Sequence, residues 1–181
     1  MRIQPTRLDG VFTVEIVPLR DSRGYFARTF CVDEFKAAGL NPAVVQCNVS
    51  VNDARGTVRG MHFQRPPHAE AKLVRVVAGA LYDVAVDVRP ASPTFGEWVG
   101  VELTAENGVA LYVGEGFAHG FQTLADRTQV LYNMSEFYHP ESSVGFRWND
   151  AAVGVRWPLP DAVVISEKDA ALPPLADVVR R

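Results

Sequence analysis

The residue best suited to acid–base chemistry is His62, within the run TVRGMHFQ. Its imidazole has an unperturbed pKa of ~6.5, so it can accept a proton near neutral pH. A lone histidine in a β-strand is also commonly a structural residue. Asp169, in ISEKDAA, could orient the ring of such a base or could cap a short helix. General-base catalysis by His62 is therefore one of two open interpretations.

Lys72 and Tyr132 offer complementary chemistry. Lys72 begins the run KLVRVV, where its ammonium could stabilise negative charge on an oxygen or simply extend into solvent. Tyr132 could donate a proton to a carbanion, because a phenol ionises only near pH ~10. It could equally provide aromatic packing and one hydrogen bond. The sequence leaves both alternatives open for each residue.

Two arginines and a second histidine are further candidates. Arg23, in DSRGYF, and Arg59, in the same run as His62, could bind a diphosphate through their guanidinium groups. Surface salt bridges are the alternative role for both. His119, in EGFAHGF, lies between glycines that allow close backbone approach, and the motif predicts a site residue or a turn residue of a loop.

Alternation along two runs predicts which side chains share a face. In residues 44–52 one face is entirely polar, with Gln46, Asn48 and Ser50. In residues 128–138 one face groups Val130, Tyr132, Met134, Glu136 and Tyr138. If that face points into a barrel, two phenols enter a common cavity. The alternative is that each polar face points to solvent.

Short alternating runs separated by turn residues predict an all-β sandwich or barrel, and their number suggests a jelly roll. They are VFTVEIVPL, AVVQCNVSVN, GTVRGMHFQ, KLVRVV, LYDVAVDV, WVGVELT, VALYV and TQVLYNMSEFY. CVDEFKAAGL, which ends at a glycine, predicts a helix, and EKDAALPPLADVV predicts another short one. Neither a repeat nor a linker divides the chain, so residues 1–181 are expected to form one domain.

Composition narrows the classes of partner. The chain has 181 residues, 48% hydrophobic and 22% charged, which is typical of a globular protein. Its net charge of −3 argues against nucleic-acid or anionic-membrane binding, while a small arginine cluster could still bind one phosphorylated ligand. The two cysteines, Cys31 and Cys47, and the absence of a signal peptide or membrane-spanning run favour a cytoplasmic location.

The common cofactor motifs are missing. Metal-binding jelly rolls use HxH followed by glutamate, and the four histidines His62, His68, His119 and His139 show no such spacing. The sequence also lacks GxGxxG, a P-loop and GxSxG. No metal and no cofactor are therefore expected.

An ordered series of segments resembles the dTDP-4-dehydrorhamnose 3,5-epimerase family of nucleotide-sugar epimerases. The series covers nearly the whole chain and comprises DSRGYF, QCNVS, GTVRGMHFQ, AKLVRV, ALYDVAVDVR, SPTFGEW, VGEGFAHGFQTL, VLYNMSEFYHPE, FRWND, RWPL and ISEKD. The resemblance implies an all-β, cupin-type double-stranded β-helix (jelly roll) with a few short helices and no metal. It also implies a homodimer in which strands of one subunit complete the sheet of the other.

The resemblance implies a role for each of four residues. The substrate would be a nucleotide-linked 4-keto-6-deoxy sugar, whose ketone acidifies the hydrogens at C3 and C5. His62 matches the base, Asp169 the carboxylate that holds it, Lys72 the cation at the C4 oxygen, and Tyr132 the acid on the opposite face.

Further positions match substrate contacts in the family. These are His119 and Tyr138 in the pocket, Arg23 and Arg59 at the diphosphate, and Phe26, Gln46 and Asn48 at the nucleotide. The chain departs from the pattern at Arg28, where glutamate is common near the base, and at Glu70, where glutamine is common. The departure at Arg28 leaves the identity of the nucleotide base open.

The sequence thus predicts an epimerase of deoxysugar biosynthesis that inverts C3, C5 or both. Two alternatives use related chemistry or a related fold. A mono-epimerase or ketoisomerase would share the enolate chemistry. A non-catalytic nucleotide-sugar binding module would keep Arg23 and Arg59 but would not depend on His62 or Tyr132.

Overall fold

Alternating runs of β-branched and aromatic residues form two facing antiparallel sheets, seen in a computed structural model that describes residues 1–179. The strands are β1 (Arg2–Pro5), β2 (Val11–Glu15), β3 (Leu19–Asp21), β4 (Gly24–Phe26), β5 (Gln46–Asn52), β6 (Val58–Gln64), β7 (Lys72–Ala78), β8 (Ala80–Asp87), β9 (Trp98–Thr104), β10 (Val109–Val113), β11 (Phe117–Thr123), β12 (Thr128–Met134) and β13 (Ser143–Gly145). The helices are α1 (Val32–Ala37), α2 (Glu167–Ala170) and α3 (Leu175–Val179).

The strand order separates the two sheets cleanly. The first sheet has the order β1-β2-β10-β7-β12-β5, and the second has the order β13-β6-β11-β8-β9. Strands β3 and β4 form a two-stranded hairpin that pairs with neither sheet within residues 1–179. The edge strand β5 and this hairpin are therefore among the parts whose backbone groups are open to another chain, together with the edge strands β1, β9 and β13.

The main core lies between the sheets. Each strand points every second side chain inward, so Val74 and Val76 of β7 meet Leu81 and Phe121 of the second sheet. The outer face of the second sheet is covered by the C-terminal segment, which contributes Trp157 and other apolar side chains. The segment around α1 covers the outer face of the first sheet in the same way. This layering confirms the predicted all-β jelly roll with short helices.

The predicted helices are present but shorter than their sequence patterns. The helix predicted in CVDEFKAAGL spans Val32–Ala37 and is followed by Gly39 at φ +73°, a left-handed conformation that glycine adopts without strain. The helix predicted in EKDAALPPLADVV is divided into α2 and α3, because Pro173 and Pro174 lie between them. No helix within residues 1–179 has the length and apolarity needed to cross a membrane.

The interpretation of EGFAHGF as a loop was wrong. Residues Phe117–Thr123 form β11, the central strand of the second sheet, and each of them is buried. The two glycines hid the strand signal, since glycine is rare in strand interiors. Gly120 is required there because a Cβ atom would lie 2.8 Å from the carbonyl oxygen of Arg59 on β6. His119 is therefore a core residue of a sheet.

Candidate functional site

A cavity of about 440 Å³ opens between the two sheets. Two adjoining spaces of about 630 and 320 Å³ share His62 and Lys168 with it, so the three form one cleft. The central cavity is lined by Asn48, Val49, Ser50, Arg59, His62, Lys72, His119, Phe121, Tyr132, Met134, Ser166, Lys168 and Asp169. The cleft therefore unites most of the residues singled out in the sequence.

Strand register places the cavity residues in facing rows. In the second sheet, His62 of β6 lies directly opposite His119 of β11. In the first sheet, Tyr132 of β12 lies opposite Asn48 of β5. Because the two sheets face each other, His62 and Tyr132 line opposite walls of the same cavity. A ligand in the cavity is thus contacted from both sides.

His62 and Asp169 form a hydrogen-bonded pair. The Nε2 atom of His62 lies 2.9 Å from Oδ1 of Asp169, and Oδ2 of Asp169 accepts the backbone N–H of Gly60 at 3.2 Å. Burial raises the pKa of Asp169, but the hydrogen bond and charge of His62 and the Gly60 N–H outweigh it and hold the pKa below its ordinary value. An ionised carboxylate only accepts, so Nε2 of His62 carries a proton, and in the neutral form of the ring the lone pair lies on Nδ1.

A close backbone approach at Gly56 brings Asp169 to this position. Gly56 has φ +84°, and a Cβ atom there would lie 1.9 Å from the carbonyl oxygen of Ala162. The contact lets Val164 pair with residues 56 and 58 through two backbone hydrogen bonds. Helix α2 follows at once, with Ser166 accepting the N–H of Asp169 as its N-cap. Asp169 is consequently the partner of His62, while Ser166 caps the helix.

Lys72 is buried rather than extended into solvent. Its ammonium lies 2.9 Å from Oε1 of Glu70, with both side chains less than a tenth exposed, and 3.4 Å from the carbonyl oxygen of His62. Two opposite charges held in a poorly solvated place interact strongly, and the ammonium remains at the cavity surface. Lys72 can therefore present positive charge to a bound oxygen beside His62.

Tyr132 is a partly buried phenol that strongly retains its hydroxyl proton. Burial raises the pKa of Tyr132 well above its ordinary value, and the negative charge of Asp83 raises it further, while Arg59 and a hydrogen bond with Ser50 act in the opposite direction. The ring packs edge-on against His119, with the centroids 6.1 Å apart. The side chain is thus fixed in place and carries a hydroxyl hydrogen at neutral pH.

A second histidine–carboxylate pair supports this wall. Nε2 of His119 lies 2.7 Å from Oδ1 of Asp83, and both residues are buried. Among the buried polar side-chain atoms of residues 1–179, Oδ2 of Asp83 is the one without a hydrogen-bond partner. The pair packs behind Tyr132 and fixes His119 at the cavity surface.

The basic and polar end of the cleft contains several of the residues predicted to contact substrate. Arg59 lines the cavity and is oriented by a 2.8 Å hydrogen bond from its Nε to Asn52. Gln46 and Asn48 are hydrogen-bonded to each other at 3.2 Å and line the adjoining space with Tyr138. The polar face predicted for residues 44–52 therefore points into the cleft, while Val49 and Val51 of β5 are exposed, with Val49 also touching the cavity.

Two predicted residues lie elsewhere. Arg23 and Phe26 belong to the β3–β4 hairpin, where Phe26 is 75% exposed and Arg23 pairs with Asp21 at 2.6 Å. Neither lines the cleft formed by the described residues of this chain. The face predicted for residues 128–138 also ends early, because β12 stops at Met134 and Glu136 follows outside the strand.

Sequence reasoning missed Lys168, which lines all three parts of the cleft. Its position next to Asp169 in ISEKD was the available signal. It also missed the pairing of Glu70 with Lys72 and the support of His119 by Asp83. No three metal-ligating side chains converge inside the cavity among the residues described.

The chain is similar to proteins of one family. The family model described as dTDP-4-dehydrorhamnose 3,5-epimerase matches residues 5–177. The dTDP-4-dehydrorhamnose 3,5-epimerase of Methanothermobacter thermautotrophicus is 46% identical over 178 residues, which cover 97% of this chain and 95% of that protein. These matches span the cavity residues of both sheets.

Solved structures agree closely in fold. The dTDP-4-dehydrorhamnose 3,5-epimerase of Elizabethkingia anophelis superposes with a TM-score of 0.94 at 39% identity, covering 98% of this chain and 97% of that one. A Legionella pneumophila epimerase in complex with dTDP-4-keto-L-rhamnose has a TM-score of 0.91 at 38% identity, covering 97% and 93%. A 3'-monoepimerase of Streptomyces bikiniensis in complex with dTDP-quinovose has a TM-score of 0.91 at 34% identity, covering 98% and 89%.

Proposed function

We propose that this chain, which belongs to the dTDP-4-dehydrorhamnose 3,5-epimerase family, is an isomerase that inverts C3, C5 or both of a nucleotide-linked 4-keto-6-deoxyhexose in deoxysugar biosynthesis. It acts as a single cupin-type domain, predicted over residues 1–181, of which 180 and 181 lie outside the residues that the structure describes. The observation that carries the proposal is the placement of His62 and Tyr132 on opposite walls of one cavity. Inversion at carbon requires a proton to leave from one face and to return on the other.

The first step removes a proton from the carbon next to the ketone. His62 accepts it on Nδ1, because Asp169 occupies Nε2 and fixes the tautomer. The electron pair of the broken C–H bond moves into the C4 carbonyl, which becomes an enolate. The Asp169 carboxylate stabilises the imidazolium that forms.

The enolate oxygen develops negative charge, and Lys72 is the cation positioned to stabilise it. Its ammonium is buried at the cavity surface, where water screens little of the interaction. Tyr132 then delivers its hydroxyl proton to the opposite face of the carbon, and the carbonyl re-forms. Every step is a proton transfer. The His62 imidazolium then loses its proton to solvent and the Tyr132 phenolate regains one, so the cycle closes without an oxidant or reductant.

The remaining predicted residues bind the nucleotide diphosphate. Arg59, at the cavity edge, supplies one guanidinium for a phosphate, and Lys168 adds a second cation that sequence reasoning had not included. Gln46, Asn48 and Tyr138 line the adjoining space, which provides hydrogen bonds and an aromatic ring for the nucleoside end. His119 completes the wall beside the sugar.

Arg23 and Phe26 act from a second copy of the chain in a homodimer. The β3–β4 hairpin that carries them has no sheet partner within residues 1–179 and exposes Leu19 and Tyr25, with 69% and 52% of their surface accessible. Strand β5, at the edge of the first sheet, has no strand paired on its outer side within residues 1–179, and it exposes Val49 and Val51. Apolar exposure of this kind supports an interface between subunits.

Mixing two defective variants tests the shared site. Arg23→Ala and His62→Asn subunits, each weak or inactive alone, would form hybrid dimers in which one site holds both native residues. Activity at low substrate concentration should therefore rise on mixing and re-equilibration. Mixed subunits that stay as inactive as the separate variants would show that Arg23 does not act across an interface.

Epimerisation itself is tested by incubation with dTDP-4-keto-6-deoxyglucose in deuterated water, followed by NMR of the sugar ring. Deuterium at both C3 and C5 identifies a 3,5-epimerase, whereas deuterium at one carbon identifies the mono-epimerase alternative, which the similarity to the Streptomyces bikiniensis enzyme supports. A protein that binds the nucleotide sugar but exchanges neither hydrogen would instead be the binding module.

A cytoplasmic location fits the free cysteines Cys31 and Cys47.

A further inference from the structure

Two histidines outside the catalytic cavity stack on each other at the end of the second sheet. The rings of His68 and His139 are 3.5 Å apart between centroids and only 8° from parallel. His68 belongs to the connection between β6 and β7, and His139 to the connection between β12 and β13. Both side chains are about 30% exposed. The pair therefore joins two distant segments at a place that solvent ions can reach.

One carboxylate faces both rings. Oε1 of Glu141 lies 3.1 Å from Nδ1 of His139 and 3.9 Å from Nε2 of His68. A second carboxylate oxygen, on Glu136, lies 3.9 Å from Nε2 of His139 on the other edge of that ring. One potential ligand atom from each of His68, His139 and Glu141 falls within a span of 4.8 Å.

The two histidine backbones are held by the same buried side chain. The amide of Gln64, which is 3% exposed, accepts the N–H of His139 at 2.6 Å and donates to the carbonyl oxygens of His68 and Phe137, each at 3.0 Å. A buried amide with all these bonds cannot shift without losing them. The histidines are thus positioned by the core of the protein, although their rings lie at its surface.

We propose that His68, His139 and Glu141 form a binding site for a divalent transition-metal ion of the zinc type, separate from the catalytic cavity. Two imidazoles and a carboxylate are the ligands that such borderline ions prefer. Two ligands ~2.1 Å from a tetrahedral ion lie roughly 3.4 Å apart. The distances of 3.1 and 3.9 Å from Glu141 to the two rings lie on either side of that value.

Metal binding requires the stacked rings of His68 and His139 to move apart. The lone pair of each imidazole nitrogen lies in its ring plane, so nearly parallel rings cannot both point at one ion. The rings open as the ion enters between them and Glu141, and water fills the remaining coordination position on the exposed side. The bound ion then ties the two connections together beside Tyr138 and Pro140, which line the outer part of the cleft.

The test is a titration of the chelator-treated full chain with zinc chloride, followed by calorimetry, and with cobalt chloride, followed by visible absorption. We expect one ion per chain, with His68→Gln and His139→Gln each weakening binding by about tenfold or more. His62→Asn, in the catalytic cavity, and Glu106→Gln, at an exposed position away from the proposed site, should bind zinc as tightly as the native chain does. Failure to bind zinc at millimolar concentration, or unchanged binding in both His68→Gln and His139→Gln, would overturn the proposal.

A second measurement does not depend on how the variants fold. Ring nitrogen NMR of the native chain should show the signals of two histidines moving on zinc addition and those of His62 and His119 staying in place. Shifts confined to His62 or His119 would place the ion in the catalytic cavity and refute the separate site. Because the readout is binding, its outcome is independent of whether the chain epimerises a nucleotide sugar.

Discussion

Replacing Asp169 by asparagine should disable the base while preserving the fold. The asparagine side chain has nearly the same shape, and its oxygen can still accept the Gly60 N–H that Oδ2 of Asp169 accepts at 3.2 Å. Its NH₂ group would then face Nε2 of His62 and donate to it. That bond favours the tautomer with hydrogen on Nδ1, so the lone pair that accepts the substrate proton is lost.

The size of the expected loss of activity follows from the negative charge that Asp169→Asn removes. Two unit charges ~4 Å apart interact by ~4 kcal/mol at an effective dielectric constant of ~20 and by ~1 kcal/mol in bulk water. The site lies between these limits, since the His62 side chain is 38% exposed and that of Asp169 is 9% exposed. A loss of roughly 1–4 kcal/mol of transition-state stabilisation lowers kcat by roughly 5- to 1000-fold.

The assay follows deuterium entry at C3 and C5 of dTDP-4-keto-6-deoxyglucose by NMR, at saturating substrate and neutral pH. Asp161→Asn, the same chemical change at an exposed position, is the matched control and should exchange at the native rate. Thermal unfolding of both variants reports whether the fold is retained. A folded Asp169→Asn variant that exchanges at the native rate would refute the role given to the His62–Asp169 pair.

Four other variants test separate parts of the structure. Tyr132→Phe should slow inversion by about 100-fold or more, while deuterium exchange with retention of configuration continues because His62 still removes the proton. NMR of the product's stereochemistry distinguishes inversion from retention. An equal loss of both would contradict the assignment of Tyr132 as the acid. Lys72→Met should lower kcat and also destabilise the fold by about 3–5 kcal/mol, because it leaves the Glu70 carboxylate buried without its counter-charge. Adding Glu70→Gln should restore stability in urea unfolding but not activity, and a double variant as unstable as the single one would argue against the ion pair. Burial raises the pKa of Asp87, but Arg89, Ser92 and Thr94 outweigh it and lower the pKa from 3.8 to about 2. Asp87→Asn should therefore lower the free energy of unfolding by about 2 kcal/mol at most above pH 3.8, and this loss should shrink as the pH falls toward 2. Urea unfolding at several pH values checks this. An equal loss near pH 2 and pH 7 would show that the lowered pKa of Asp87 is not its cause.

Local sequence determined the strands and most of the cavity residues. Alternation placed Asn48 and Ser50 on one face of β5, and the structure puts both in the cavity. The family motifs predict His62, Lys72, Tyr132 and Asp169 in one site, and all four line the same cavity. Such placements can be predicted because a strand's period of two and an ordered series of motifs are properties of the chain itself.

Contacts between distant segments could not be predicted from local pattern. His119 looked like a loop residue because glycine flanks it, yet it lies in a central strand whose neighbour approaches too closely for a side chain at Gly120. Lys72 was expected at the surface in one interpretation, but Glu70 neutralises it in a buried position. In both cases the position of the side chain depends on tertiary packing, which the alternation of polar and apolar residues along the chain does not predict.

The sequence by itself determined the fold class and the chemical types available to the site. Only the tertiary structure decided which groups meet, because hydrogen bonds and burial depend on strand register and on close approaches such as that of Gly56 to Ala162. The same reason explains His68 and His139, whose sequence spacing showed no metal motif. They stack because Gln64 binds the backbones of two connections that are far apart in the chain.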